Sequence, residues 1–335
     1  MEDRKKAVLA DYFPAVERRM ARSVPAFYDM DALLGRYILR FHFESSEQRT
    51  FAGALYTGLS LPAGERAADA EFFFWSDDLK GYFPDYSREG GVWSLRDETG
   101  FLKLVSSCGM TGGDFARGRY YSCLEKETGK AEPPRLQDTL GLMFRWALES
   151  GMFLLHGAAV GKSGKGVLLG GMGGAGKSTL ALSCLQMGMD FTGDDYVLMS
   201  RRGPHLVMPF FHTVKLCPDM EQKLRPGFPL LLEEAGGKKL LDASEQPFCP
   251  ALPLSCIVLP ELSFKGTPRI GPVPPGQAAA RMVRSAMIQF GFEREFPLIR
   301  EMTLRLGALP VYEMSLSGDP ADNALCLETF IKDRL

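Results

Sequence analysis

The chain has 335 residues, which is enough for two domains of ordinary size. Its 45% hydrophobic and 24% charged residues are typical of a globular protein and exclude a disordered one. A formal net charge of −2 provides no general attraction to nucleic acid or to an anionic membrane, so neither is expected as a partner.

The first residues of the chain carry charges of both signs, and no run of about 18 apolar residues occurs anywhere. The sequence therefore predicts neither a signal peptide nor a transmembrane helix. The seven cysteines are scattered and form no C-x-x-C pair, which predicts reduced thiols and no zinc site. Together these features predict a cytoplasmic protein.

The N-terminal part of the chain combines one helical segment with several short apolar runs. Residues 4–22 predict a helix that Pro14 could split. Beyond it, runs rich in aromatic residues are separated by Gly, Asp and Ser, a pattern typical of strands. These runs cover residues 37–43, 71–75, 92–95, 101–105 and 119–123. We therefore expect a mainly β domain over residues 1–131, in which His42 has a structural role.

A second domain is predicted over residues 135–335, after a linker at 128–134 that contains Gly and two Pro. Its first strands are the apolar runs 152–160 and 166–170. A short Gly- and Lys-containing turn separates the two runs, so they predict an antiparallel β-hairpin. Further helices are predicted at 136–150, 277–289, 295–306 and 319–334, and further strands at 206–216, 254–259 and 311–314.

The hairpin leads into Gly171-Met172-Gly173-Gly174-Ala175-Gly176-Lys177-Ser178, which fits the phosphate-binding loop pattern G-x-x-x-x-G-K-[ST]. Glycines let successive backbone N–H groups turn towards a polyphosphate, the lysine reaches its terminal phosphates, and the serine hydroxyl binds Mg²⁺. A helix is predicted to follow, and its N-terminus favours the anion. We assign nucleotide binding to Gly171, Gly173, Gly174, Ala175, Gly176, Lys177, Ser178 and Thr179. The alternative, a glycine-rich turn with a solvent lysine, explains neither flanking element.

Two adjacent acids, Asp194 and Asp195, follow Lys177 by 17 and 18 residues. Phosphoryl transfer needs a carboxylate for the metal and a base or orienting group for the attacking hydroxyl. We therefore expect one acid to hold Mg²⁺ and its neighbour to face the acceptor. Gly-Asp-Asp is also a good turn sequence, so a solvated turn is the alternative.

These residues together resemble the catalytic domain of HPr kinase/phosphorylase and its relatives. That family has a histidine-glycine pair 21 residues before the loop lysine, as His156 is here, and an acid pair at the offsets of Asp194 and Asp195. The similarity covers residues 152–200. It extends more remotely to the nucleotide core of ATP-type phosphoenolpyruvate carboxykinases.

The resemblance implies an α+β fold in which the hairpin enters the phosphate loop, and it implies roles for the matching residues. Lys177 would contact the terminal phosphates, and Ser178 with Asp195 would bind Mg²⁺. Asp194 would be the catalytic base, although the roles of the two acids could be exchanged. His156 would lie near the γ-phosphate or the metal, whereas a histidine in an apolar strand can also be a core residue.

Two departures from the family pattern limit what the resemblance implies. The N-terminal part does not resemble the family's N-terminal domain, and the Glu-x-Arg-Gly signature is absent, its place being taken by residues 218–250. In that region Lys238 or Lys239 could be a mobile cation that closes on the transferred phosphate, or simply a solvated charge. The chain looks more like the HPr-kinase-related proteins found in bacterial gene clusters.

The sequence thus predicts an ATP- and Mg²⁺-dependent kinase that phosphorylates a hydroxyl, by preference a serine of a protein or peptide. A small-molecule hydroxyl acceptor remains open, as does a nucleotide-binding or ATPase regulator without an acceptor. The Asn-Lys-x-Asp motif of GTPases is absent, and Leu-Ser-Gly-Gly of transporter ATPases is only approximated at 315–319. Self-association is left open as well.

Overall fold

The computed structural model of the chain describes residues 2–83, 92–105, 109–126, 136–233, 236–263, 266–290 and 295–335. They form two compact units, Met1–Gly53 with Leu59–Glu149, and Ala54–Gly58 with Ser150–Leu335. The helix at 136–149 therefore belongs to the first unit, whereas the sequence boundary assigned it to the second. The predicted linker at 128–134 lies outside the described residues.

The first unit contains an eight-stranded mixed sheet. Its helices are α1 (Glu2–Ser23), α2 (Ser46–Leu55, which ends in the short segment assigned to the second unit) and α3 (Leu136–Glu149). Its strands are β1 (Tyr28–Leu34), β2 (Tyr37–Phe43), β3 (Ser60–Leu61), β4 (Ala70–Asp77), β5 (Val92–Arg96), β6 (Gly100–Val105), β7 (Gly109–Asp114) and β8 (Arg119–Glu125). The strand order is β3-β1-β2-β4-β8-β7-β6-β5, and β2, β4 and β8 run parallel.

Aromatic side chains stack across the parallel strands on both faces of this sheet. On one face Phe41 stacks on Phe72, and Phe72 on Tyr120, with ring centroids 5.1 and 4.9 Å apart. On the other face His42 stacks on Phe73 at 4.3 Å, while its Nδ1 lies 2.8 Å from an Asp29 oxygen. Because such cross-strand pairs stabilise a sheet, the aromatic runs of the sequence become its central strands.

Helix α1 is continuous through Pro14, so the split that the sequence allowed does not occur. The side chains of Leu9, Phe13, Val16 and Met20 recur along one face of α1, and all are buried against the sheet. This burial offsets the backbone hydrogen bond that a proline inside a helix removes.

The second unit has a nine-stranded sheet, a three-stranded sheet and five helices among the described residues. The helices are α4 (Lys177–Gln186), α5 (Glu221–Leu224), α6 (Pro275–Phe290), α7 (Phe296–Gly307) and α8 (Pro320–Arg334). The strands are β9 (Met152–His156), β10 (Ala158–Lys162), β11 (Lys165–Leu169), β12 (Asp190–Gly193), β13 (Tyr196–Ser200), β14 (Leu206–Pro209), β15 (Thr213–Leu216), β16 (Leu230–Glu233), β17 (Lys239–Asp242), β18 (Leu252–Leu262), β19 (Arg269–Pro272) and β20 (Val311–Leu316).

The large sheet has the order β12-β10-β11-β18-β14-β13-β9, with β20 pairing with β18 and β19; the small sheet has the order β15-β17-β16. The expected hairpin is present, since β10 and β11 are antiparallel. On its other side β11 runs parallel to β18, which also runs parallel to β20. The described chain is therefore a mixed α/β structure with mixed sheets, consistent with the α+β class that the sequence predicts.

Two predicted strands are each divided in the structure. The run 152–160 breaks at Gly157, so that β9 pairs with β13 whereas β10 pairs with β11 and β12. A Cβ at Gly157 would lie 2.7 Å from the Leu169 carbonyl oxygen, so only glycine permits this close passage. The run 206–216 breaks at Phe210 and Phe211, so that β14 pairs with β13 and β18 whereas β15 pairs with β17 in the small sheet.

The hydrophobic core of the second unit contains side chains from β10, β11, β18, α4 and α8. Val160, Leu169, Leu180, Val258 and Leu327 are all almost fully buried in it. Nowhere in the described ranges is there a helix that is both long and apolar enough to cross a bilayer. The strand that precedes the glycine segment and the helix that follows it are thus packed in the same core.

Candidate functional site

The glycine segment is an open turn of backbone between β11 and α4. Gly171, Gly174 and Gly176 have φ values of 113°, 81° and 92°, in the left-handed region that favours glycine. A Cβ at Gly171, Gly173 or Gly174 would have no atom within 4 Å, whereas one at Gly176 would lie 2.5 Å from Leu316 Cδ1. The first three glycines therefore leave one side of the turn clear, and the last allows close packing against β20.

Helix α4 begins at Lys177, whose side chain folds back across the turn. Its Nζ donates hydrogen bonds to the carbonyl oxygens of Gly171 at 3.0 Å and Met172 at 2.9 Å. Burial lowers the pKa of Lys177, and the charge of Lys238 lowers it further, while Asp194 and Asp195 oppose this shift. Because α4 begins at Lys177, this lysine and the helix N-terminus lie at the same end of the turn. The first N–H groups of a helix lack intrahelical partners and are therefore available to an anion.

The remaining residues assigned to nucleotide binding lie in the same turn of chain. The Ala175 N–H points towards the Met172 carbonyl oxygen at 3.4 Å, and Ser178 and Thr179 are half-buried in the first turn of α4. The Thr179 carbonyl oxygen accepts a hydrogen bond from the Ser183 hydroxyl at 2.7 Å. These contacts order the start of the helix next to the glycines.

The acid pair occupies the tight turn between β12 and β13. The Tyr196 N–H donates to the Asp194 carbonyl oxygen at 2.8 Å, and Asp195 has a φ of 67°. Aspartate tolerates this left-handed conformation better than most residues do. The turn therefore directs the two neighbouring carboxylates into different surroundings.

Asp194 is almost fully buried, with 1% of its surface exposed. Its Oδ2 accepts a hydrogen bond from the Lys215 N–H at 2.9 Å, whereas Oδ1 has no partner of good geometry among the described residues. Burial and the charge of Asp195 raise the pKa of Asp194 to about 6, although the Lys215 N–H and the nearby Ser178 hydroxyl lower it. Asp194 is thus a buried carboxyl group beside Ser178, with too few hydrogen-bond donors to offset the cost of burying its charge.

Asp195 instead lies between a cation and a histidine. Its Oδ2 is 2.9 Å from Lys215 Nζ, and its Oδ1 is 3.6 Å from His156 Nε2. The other ring nitrogen of His156, Nδ1, lies 2.7 Å from the Ser285 hydroxyl. Burial, followed by the charge of Lys177, lowers the pKa of His156 to about 4, against the charge of Asp195. His156 is therefore neutral at pH 7, and its side chain is hydrogen-bonded to Ser285.

The strand register explains how these residues meet. His156 ends β9 and pairs with Tyr196, the first residue of β13, and the Gly157 N–H donates to the Asp195 carbonyl oxygen at 3.0 Å. The structure therefore brings His156 and both acids together with the start of α4.

Sequence reasoning missed Lys215 and Ser285. Lys215 carries a weak signal, a lysine within an otherwise apolar strand, whereas a serine within a helix carries none. Of the two lysines considered from the sequence either as a mobile cation or as a solvated charge, Lys239 has its Nζ 2.7 Å from both carboxylate oxygens of Glu221. Lys238 is exposed, and its charge lowers the pKa values of Lys177 and His156.

The residues present fit a magnesium ion that arrives with a nucleotide. The described parts of the chain contain no group of three or more His, Cys, Asp or Glu side chains that could hold a metal ion. Magnesium does not require one, because it is commonly bound by one or two carboxylates together with phosphate oxygens and water. The unpartnered Oδ1 of Asp194, beside the Ser178 hydroxyl, supplies oxygen ligands of this kind.

Comparisons with known proteins add little to this description. No family model matches the chain, and no curated protein matches it. Solved structures that are similar to it include the HPr(Ser) kinase/phosphatase from Coxiella burnetii, with 12% sequence identity and a TM-score of 0.30. That match covers 54% of this chain and 88% of the other. A likeness at this level gives no information on activity or ligands.

Proposed function

We propose that the protein is an ATP- and Mg²⁺-dependent kinase that transfers the γ-phosphoryl group to a hydroxyl, by preference a serine of a protein or peptide. One observation carries the proposal. The glycine turn and Lys177 share a site with two adjacent carboxylates, one buried beside Ser178 and the other paired with Lys215. Phosphoryl transfer needs a phosphate cradle, a carboxylate for the metal and a second group for the nucleophile.

We assign the metal to Asp194 with Ser178, and the base to Asp195, which exchanges the two roles preferred from the sequence. The support for this assignment is the different exposure of the two carboxylates. Asp194 is 1% exposed and has its unpartnered Oδ1 next to Ser178, whereas Asp195 retains 12% side-chain exposure. A base must come within hydrogen-bond reach of the acceptor hydroxyl, which favours the more accessible carboxylate. The bound ion would neutralise charge on the phosphates.

The chain's own residues then have distinct tasks. The N–H groups of the glycine turn and of the α4 N-terminus bind phosphate oxygens, and Lys177 exchanges its loop carbonyl partners for the terminal phosphates. The acceptor hydroxyl oxygen bonds to the γ-phosphorus while its proton passes to Asp195. The bond between the γ-phosphorus and the bridging oxygen breaks, and ADP leaves. Neutral His156 orients Asp195 and adds no charge to repel Lys177.

The test is incubation of the purified protein with γ-labelled ATP, Mg²⁺ and a lysate of its source organism, read by mass spectrometry. We expect a new phosphoserine on a protein or peptide that is absent with Lys177→Ala. A phosphorylated small molecule would move the assignment to the small-molecule acceptor. ATP hydrolysis that no fraction of the lysate stimulates, without any labelled product, would contradict the kinase and favour a nucleotide-dependent regulator.

A further inference from the structure

Two adjacent lysines at the start of β17 have different surroundings. Lys239 is engaged by Glu221 of α5, with its Nζ 2.7 Å from both carboxylate oxygens. Lys238, immediately before β17, is exposed and has no ion-pair partner among the residues that the structure describes. The sequence alone treats the two residues as equivalent, so the difference arises from the fold.

The register of the three-stranded sheet brings both lysines close to β15, the strand that carries Lys215. Lys215 of β15 is paired with Leu240, and Leu216 with Lys239. Side chains alternate along a strand, so Lys239 is on the face of the sheet opposite to Lys215 and Leu240. Lys238 immediately precedes β17 and so stands next to the last pair of this ladder, Leu216 with Lys239. Lys215 extends from that face to Asp195, with its Nζ 2.9 Å from the carboxylate. The backbone of Lys238 is therefore close to the end of β15, the strand whose lysine contacts Asp195.

The electrostatics agree with this placement. Burial is the main cause of the lowered pKa values of Lys177 and His156, and the positive charge of Lys238 adds to both shifts. Near Asp194 and Asp195 the site thus carries the positive charges of Lys177, Lys215 and Lys238. This arrangement leaves an excess of positive charge that a polyphosphate would neutralise.

We propose that Lys238 is a phosphate-contacting residue that binds the terminal phosphate and makes the site prefer a nucleoside triphosphate to a diphosphate. The inference rests on the proposed kinase function, since it names a specificity residue of the same site. Lysine suits this role because its ammonium is a mobile point charge on a flexible stem. An exposed lysine also gains an anionic partner without first breaking an ion pair with a described residue.

The experiment is isothermal titration calorimetry with Mg·ATP and with Mg·ADP on four proteins: wild type, Lys238→Ala, Lys238→Arg and Lys239→Ala. For Lys238→Ala we expect ATP affinity to fall about tenfold, or about 1.4 kcal/mol, with ADP affinity changed by less than about twofold. Lys238→Arg should keep most of the preference for ATP because it retains the charge. Lys239→Ala, the matched control on the face opposite to Lys215, should bind both nucleotides as the wild type does.

The outcomes separate this inference from the function on which it rests. A wild type that binds ATP, together with a Lys238→Ala variant of unchanged ATP-to-ADP ratio, would overturn the inference and leave the kinase standing. Equal losses in Lys238→Ala and Lys239→Ala would also overturn it, because they would indicate a general charge effect. A folded wild type that binds neither nucleotide would overturn both. Thermal melting of all four proteins shows whether each is folded.

Discussion

Two aspartates, one in each unit, are equally buried, but their pKa values are shifted in opposite directions. Asp31 and Asp194 are each 1% exposed. Asp31 accepts two hydrogen bonds from Arg40 at 2.8 Å and one from the Gly64 N–H at 3.0 Å. Although burial raises the pKa of Asp31, these partners lower it more, so that its pKa is below the ordinary value. Asp194 has one strong backbone donor and an acidic neighbour, and its pKa is raised.

The contrast shows where the protein tolerates uncompensated charge. In the first unit the half-buried Glu17 is likewise paired, since it accepts hydrogen bonds from Arg119 and Tyr121. At the glycine turn, by contrast, a carboxylate is buried with a vacant lone-pair direction and a like charge beside it. Such an arrangement costs stability, and perturbed carboxyl groups of this kind cluster at functional sites.

The largest expected effect is on turnover in Asp194→Asn. The substitution removes the charge proposed to hold the metal, so we expect phosphoryl transfer to fall about 10²–10³-fold. Because a buried, under-compensated carboxylate is replaced by a neutral amide, the free energy of unfolding at pH 7 should be higher. Steady-state kinetics and urea unfolding measure the two quantities. Wild-type turnover in this variant would contradict the metal assignment.

The pH dependence of stability should distinguish the same variant from the wild type. The pKa of Asp194 is raised from 3.8 to about 6, so between these values the folded protein retains a proton that the unfolded chain has lost. Stability therefore falls as pH rises through this window, and the penalty persists above pH 6. The advantage of Asp194→Asn over wild type should grow from near zero at pH 4 to roughly 3 kcal/mol at pH 7.

The difference between the two proteins is the quantity to measure, because His156 titrates in the same window with the opposite sign. Its pKa is lowered from 6.5 to about 4, so its contribution to stability is lost as pH falls from about 6.5 to 4. Urea unfolding at pH 4, 5, 6 and 7 gives the difference at each pH. A constant difference would mean that Asp194 does not titrate in this range.

Asp31→Asn should have the reverse effect on stability. It weakens the bidentate contact with Arg40, whose side chain is 18% exposed, so we expect a loss of about 2 kcal/mol at pH 7. The loss should shrink at low pH, since protonation of Asp31 weakens the same contact in the wild type. Urea unfolding at pH 3 and pH 7 tests this expectation. A variant as stable as wild type at pH 7 would remove the contrast between the two aspartates.

The smallest expected effect concerns the ion pair of Asp195. Lys215→Met removes the ammonium 2.9 Å from Asp195 but keeps the backbone N–H that bonds to Asp194. We expect kcat to fall about tenfold with the KM for ATP little changed, because the change acts on the base and not on the phosphates. Lys215→Arg should recover part of the activity, and Lys239→Met in the same sheet is the control. A rise in KM alone would assign Lys215 to phosphate binding.

Much of the local structure could be predicted from the sequence. Periodicity predicted α7, α8 and the aromatic strands closely, and the glycine pattern predicted the turn between β11 and α4. The predictions that fail share one cause: in each, the decisive contact is made with a residue distant along the chain. Gly157 divides a predicted strand because the Leu169 carbonyl passes close by, and Pro14 fails to split α1 because the helix is packed on the sheet.

The sequence by itself determined the order of strand, glycine turn, helix and acid pair, because backbone freedom and side-chain periodicity are local properties. Only the tertiary structure decided which acid is buried, which lysine pairs with the other acid and which side chain is hydrogen-bonded to the histidine. His156 meets Ser285 across 129 residues, and Asp194 meets the Lys215 N–H across 21. Desolvation and charge pairing depend on such distant neighbours, so the pKa of each group is a property of the fold.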